Sequence, residues 1–378
     1  MKVRFRWLLP ILMVITLTFN AGVSQAALDA PIDLTNPRIV PIYQTMKGRL
    51  LEQLGEASYS GFLYSSRIVF TAGHADFYFS NDGKVMSRDD SDLYVGLPNS
   101  RVTDLNRVVK VSKRLVSKLY RSANGDLDDF AIYILENDLV NAQPVDLLSP
   151  EIEKELIATG AEVVLHGYGE FNDRCSPGEK LPCSKKLPRS SLPRSLKSSL
   201  TTLDAAEKLI GYKLPQFADH LIITNGKTGF GCSGDSGGSI TTSYKGKLMY
   251  LGPTPNGANV YSCGISTYYD GISGIFYSSP IYKHLDLLKE AEAIVAQQLE
   301  VERRAAQEKA EIERVAAEKL AAEKAAAEKA AAEKAAAEKA AMAQLQEKKL
   351  KTITCIKGKI VKKVTSINPT CPKGYQKK

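Results

Sequence analysis

Between about residues 59 and 280 the chain alternates short apolar, β-branched runs with turns rich in Gly, Ser, Asn and Pro. Gly61–Tyr64, Ile68–Thr71, Phe130–Leu135, Glu162–Gly167 and Lys247–Leu251 are such runs. Many short strands punctuated by turn signals predict an all-β barrel or sandwich. The pattern changes period near Leu203–Ile210, which reads as a short helix, and again after Pro280. From Tyr282 to Leu350 no Gly or Pro interrupts, and Ala, Glu and Lys dominate. Those residues have the highest helix propensity, so one long helix is predicted. Glu-Lys recurs every five residues at Glu318, Glu323, Glu328, Glu333 and Glu338. At 3.6 residues per turn a five-residue step advances by about 140° net, so the charges spiral and leave no apolar seam. The segment reads as a solvated spacer on the order of 100 Å long. Beyond it, Thr352–Val361 alternates about Lys357-Gly358-Lys359 and reads as a small hairpin.

The chain has 378 residues, enough for one large domain with appendages. Lys2, Arg4 and Arg6 precede the apolar run Trp7–Phe19 and then Ser24-Gln25-Ala26. This reads as a secretory signal with cleavage expected after Ala26, leaving no stable membrane span; the alternative is an uncleaved membrane anchor, for which the apolar run is short. Residues 27–38, with Pro, Asp and Asn, resemble a short pro-segment. Export directs the six cysteines toward disulfides, and the absence of Cys-x-x-Cys or paired histidines argues against a metal site. The net charge of +8 is concentrated in the tail: Lys348–Lys378 holds ten lysines and no acidic residue. Such a tail attracts an anionic cell-surface polymer. Without interleaved aromatics beyond Tyr375 it is not expected to bind nucleic acid. The expected location is extracellular, with retention at the cell surface.

Three segments carry chemistry. Gly234-Asp235-Ser236-Gly237-Gly238 presents a serine on a tight turn whose small neighbours let a carbonyl approach the backbone. A serine hydroxyl needs an adjacent base. Ile68-Val69-Phe70-Thr71-Ala72-Gly73-His74 delivers an imidazole at a strand end, with a pKa suited to that task. Asp128-Asp129-Phe130-Ala131 brings an acid into an apolar strand. Asp129 directly precedes the run and is the first choice to orient His74; Asp128 is the second.

With their order His, Asp, Ser, these motifs resemble those of trypsin/chymotrypsin-type serine endopeptidases, over about Ile39–Leu288. The domain division then reads 1–26 signal, 27–38 pro-segment, 39–288 protease-like domain, 289–350 spacer and 351–378 stapled tail. The resemblance implies two six-stranded Greek-key barrels with His74, Asp129 and Ser236 in the cleft between them. It implies an acyl-enzyme mechanism without a cofactor, and an oxyanion hole from the N–H groups of Gly234 and Ser236. Phe230 would lie at the base of the substrate pocket, where its lack of charge disfavours cleavage after Lys or Arg. Cys232–Cys263 would match a family bridge, while Cys175–Cys183 and Cys355–Cys371 pair by proximity. Pro37-Arg38-Ile39-Val40 resembles an activation site, after whose cleavage the Ile39 ammonium would pair with Asp235. The alternative is an internal partner for Asp235 and a chain active from the start. There are departures: no cysteine follows His74, and Ser239 stands where the family often has proline. A second reading is a protease-fold binding module, without catalysis, displayed on the helical stalk.

Overall fold

The computed structural model describes residues 30–48, 58–79, 85–87, 91–118, 128–169, 190–211, 213, 215–225, 234–254 and 275–378. Residues 1–26, expected to be a signal, therefore lie outside the described residues, as do Cys175, Cys183, Phe230, Cys232 and Cys263. The chain divides into two compact units, one ending at Ala296 and one spanning Gln297–Lys378.

The first unit opens with β1 (Ile39–Met46), β2 (Tyr59–Ser65) and β3 (Ile68–Thr71). A small ribbon follows, β4 (Phe77–Phe79) and β5 (Val85–Ser87), then β6 (Ser91–Gly96), β7 (Val108–Val116) and β8 (Ala131–Leu135). Six of these close into an antiparallel barrel in the order β1-β2-β3-β8-β7-β6. Alternate residues fill its interior: Val40 and Ile42 from β1, Leu63 from β2, Val69 from β3, and Ala131, Tyr133 and Leu135 from β8. The opposite faces are covered as well. Phe62, Phe70, Ile132 and Ile134 join a second core with Val163, Leu165, Ile240 and Tyr250. Burial on both sides is why β8 reads as an unbroken apolar run instead of alternating.

The rest of the unit comprises β9 (Asp146–Leu147), α1 (Pro150–Thr159), β10 (Glu162–Gly167) and β11 (Arg194–Thr201). It continues through α2 (Leu203–Ile210), β12 (Leu221–Asn225), β13 (Ser239–Tyr244), β14 (Lys247–Pro253) and β15 (Ile275–Ser278). Each helix has its own start and stop. Ser149 and Thr202 accept hydrogen bonds from Ile152 N and Ala205 N, and Gly160 and Gly211 end the helices in the left-handed region. The sheet order is β15-β12-β11-β10-β13-β14-β9. Strands β10–β15 thus repeat the arrangement of the first barrel, cut open between β14 and β15. The expected pair of barrels is realised as one closed barrel and one curled half-barrel. Two-residue β9 runs parallel to β14 at Met249–Tyr250 and occupies the edge that closure would need.

After the single turn Ile281–His284 comes α3 (Leu285–Lys349), 65 residues long. Its first turns bury Leu288 and Ala291 in the core of the first unit, with Ile294 and Val295 packed against it. These turns belong to the first unit, which runs to Ala296. In the second unit the described side chains of the helix are nearly all exposed and no apolar stripe remains. Arg303–Glu300 and Arg314–Glu318 ion pairs decorate it, exposed and screened by solvent. The tail forms β16 (Lys351–Lys357), β17 (Ile360–Ser366) and β18 (Gln376–Lys377) around the Cys355–Cys371 disulfide. The hairpin turns at Gly358-Lys359, with Gly358 at φ 61°. Among the described residues no helix is long and apolar enough to cross a membrane.

Candidate active site

The register of one strand pair brings two of the three chemical segments together. β3 and β8 run antiparallel with Thr71 opposite Ala131. His74 lies three residues beyond Thr71 and Asp129 two residues before Ala131, so both emerge at the same barrel end. His74 sits in the single 3-10 turn Gly73–Asp76. Its Nδ1 is 2.7 Å from Asp129 Oδ2, and its backbone N–H donates to Asp129 Oδ1 at 2.8 Å. Both oxygens of one carboxylate thus hold one residue, fixing the imidazole plane and directing Nε2 away from the acid. The His74 side chain is 19 % exposed and that of Asp129 9 %. The edge of the Tyr59 ring lies against His74, with centroids 6.2 Å apart.

Asp128 has a different role from its neighbour. Its Oδ1 is 2.8 Å from Lys283 Nζ and accepts from Ser279 Oγ at 2.8 Å. Ser279 Oγ in turn lies 2.7 Å from His284 Nε2. Burial works against the Asp128 charge, but Lys283 and Ser279 outweigh it and hold the carboxyl below its ordinary range. Asp128 therefore anchors the root of α3 to the loop that carries Asp129.

The serine loop precedes β13, which pairs with β10 through His166 and Ser239. Ser236 is half-buried and its flanking residues are buried. Gly237, at φ 78°, is pressed against the other segments: a Cβ there would overlap Thr71 Oγ1 and stand 2.8 Å from Ala72 N. A Cβ on Gly238 would overlap the His166 carbonyl. Gly237 lets the serine loop close onto the end of β3, just before His74, and Gly238 lets it close onto β10.

Ser60, which carries no motif signal, stitches the loop to β2. It is fully buried. Its hydroxyl donates to the Gly234 carbonyl at 2.8 Å and accepts from Tyr168 N at 2.8 Å. Its N–H donates to the Ser236 carbonyl at 3.0 Å, and its own carbonyl accepts from Thr71 Oγ1 at 2.9 Å. Asp235 is buried, and its Oδ1 accepts from Gly169 N at 2.7 Å. Ile39 lies within β1, fully buried and paired with Phe62.

The segment expected as a pro-segment is bonded into the first unit. Asp33 N donates to the Pro193 carbonyl and Ser195 N to that of Pro31. His166 Nε2 lies 3.2 Å from Asp33 Oδ2, and this contact chiefly holds the Asp33 carboxyl far below its usual range. No protein-family model and no curated protein sequence matches the chain.

Proposed function

We propose that this protein is a secreted serine endopeptidase. The two-point hydrogen bond between Asp129 and His74, set by the β3–β8 register beside the Ser236 loop, carries the reading. A fold alone supports many activities, so the weight rests on these residues. In the mechanism, His74 Nε2 takes the proton of Ser236 Oγ as the oxygen attacks a peptide carbonyl. Asp129 holds the Nδ1–H tautomer and stabilises the imidazolium. The N–H groups of Gly234 and Ser236 receive the developing oxyanion. His74 then protonates the leaving amine, an acyl-enzyme remains on Ser236, and a water deprotonated by His74 releases it. The chain's own residues account for each proton, with no cofactor among the steps.

The lysine-rich hairpin is proposed to hold the enzyme to an anionic polymer at the cell surface, on the strength of its uniform charge. A fluorophosphonate probe tests the hydrolase reading, because it reacts with an activated serine and not with an inert one. Labelling is expected in the full chain and absent in Ser236→Ala with the fold intact. A chain that stays unlabelled both uncut and cleaved before Ile39 would instead favour the non-catalytic binding module on a stalk.

A further inference from the structure

We infer that Ser60 is a positioning residue that presets the Gly234–Ser236 loop in the uncut chain, so that activity needs no cleavage before Ile39. This rests on the hydrolase reading above. Three of the five residues from Gly234 to Gly238 are glycine, so the loop has little conformational preference of its own. Its geometry has to come from outside. Ser60 supplies two of the anchors, its hydroxyl on the Gly234 carbonyl and its N–H on the Ser236 carbonyl. Gly169 N–H on the Asp235 carboxylate is the third. With Gly234 O, the Asp235 side chain and Ser236 O all held, the peptide between Asp235 and Ser236 has its plane set. That peptide carries the Ser236 N–H, one of the two oxyanion donors.

Every one of these partners is internal to the chain. Ser60 is itself held on both sides, by Tyr168 N–H on its hydroxyl and by Thr71 Oγ1 on its carbonyl. It therefore transmits the barrel's rigidity to the loop. The bond that activation would cut is also woven in. Leu63 N donates to the Arg38 carbonyl at 2.8 Å and Asn99 N to the Ile39 carbonyl at 2.9 Å. Arg38 Nη1 bonds the carbonyls of Leu63 and Tyr64. A protease would have to unzip the start of β1 to reach it.

The test measures the full chain, Arg38→Gln and Ser60→Ala by peptide turnover per titrated active site, N-terminal sequencing, and amide exchange of the 234–238 peptide. Per-site rates exclude misfolded molecules, and exchange needs no turnover. The full chain is expected to be active with the Arg38–Ile39 bond intact, and Arg38→Gln equally so. Ser60→Ala is expected to lose ~10- to 100-fold in kcat with KM within ~2-fold, because displaced oxyanion donors act on the transition state. Exchange of the loop should rise ~10-fold while the barrel strands stay protected. Activity confined to material starting at Ile39 would overturn the inference. So would a Ser60→Ala variant with unchanged per-site rate and loop exchange. A chain inactive and unlabelled both uncut and starting at Ile39, whose loop exchange still depends on Ser60, would overturn the hydrolase reading instead, leaving the positioning contact intact.

Discussion

His284 makes the stability of the first unit fall in acid, and His284→Gln should remove that sensitivity. The ring is buried and stacked on Phe130, with centroids 4.3 Å apart. Ser279 gives its only hydroxyl proton to Asp128, so it accepts from His284 Nε2–H. A second proton would have to go to Nδ1. Burial is the main cause that pushes the pKa from 6.5 down to about 4, with Lys283 and His220 adding to it and Asp128 opposing. Between those values the unfolded chain binds a proton that the folded chain does not. The stabilisation is therefore complete above pH 6.5 and is lost as pH falls toward 4. The full gap corresponds to ~3 kcal/mol, of which ~2 kcal/mol is lost between pH 7 and 4.5. For a unit of this size that is ~4–8 °C in melting temperature. Glutamine keeps a donor toward Ser279 and does not titrate. His284→Gln should start lower at pH 7, having lost the ring stack, yet decline less on acidification. Titrating groups that do not face the ring, such as Asp33, contribute to both proteins and cancel in the difference, whereas Asp128 loses the small lowering that His284 gives it. Thermal unfolding of both at pH 7 and 4.5 checks this. Parallel profiles, within ~0.5 kcal/mol, would refute the assignment.

Asp129→Asn should lower kcat by ~10⁴ with little change in stability, since the imidazole loses its tautomer. Asp128→Asn should leave kcat per folded molecule within ~3-fold and cost ~2–3 kcal/mol in urea unfolding, less than a fully broken buried pair because Lys283 keeps Asp219 at 2.8 Å. The reverse ranking would exchange their roles. A peptide spanning Glu318–Ala341 should be largely helical by circular dichroism and monomeric by sedimentation, because alanine favours helix and no seam exists. Concentration-dependent association would count against this. Cys355→Ser should destabilise the hairpin by ~3 kcal/mol, as expected for opening a loop with a sequence separation of 16, and leave the melting of the first unit unchanged.

Features that depend on near neighbours were legible in the sequence. The Ala/Glu/Lys helix follows from residue propensity alone, and α2 falls at Leu203–Ile210 as its pattern predicts. The tail hairpin and the Cys355–Cys371 bridge join segments close along the chain. Ser236, His74 and Asp129 were legible as candidates because each lies in a distinctive local string. Helix α1 was missed, although Ser149, Pro150 and Gly160 mark its ends. Tertiary structure decided what depends on distant partners. Asp128 and Asp129 are adjacent and chemically alike, and only the β3–β8 register gives one to His74 and the other to Lys283 and Ser279. Ser60 gains its meaning from Gly234, 174 positions away, and His166 from Asp33, 133 away. The parallel pairing of β9 with the edge of β14 is likewise a contact between distant strands that local patterning does not record. Hydrogen bonds of that span join residues far apart in the chain, so composition and periodicity carry no trace of them.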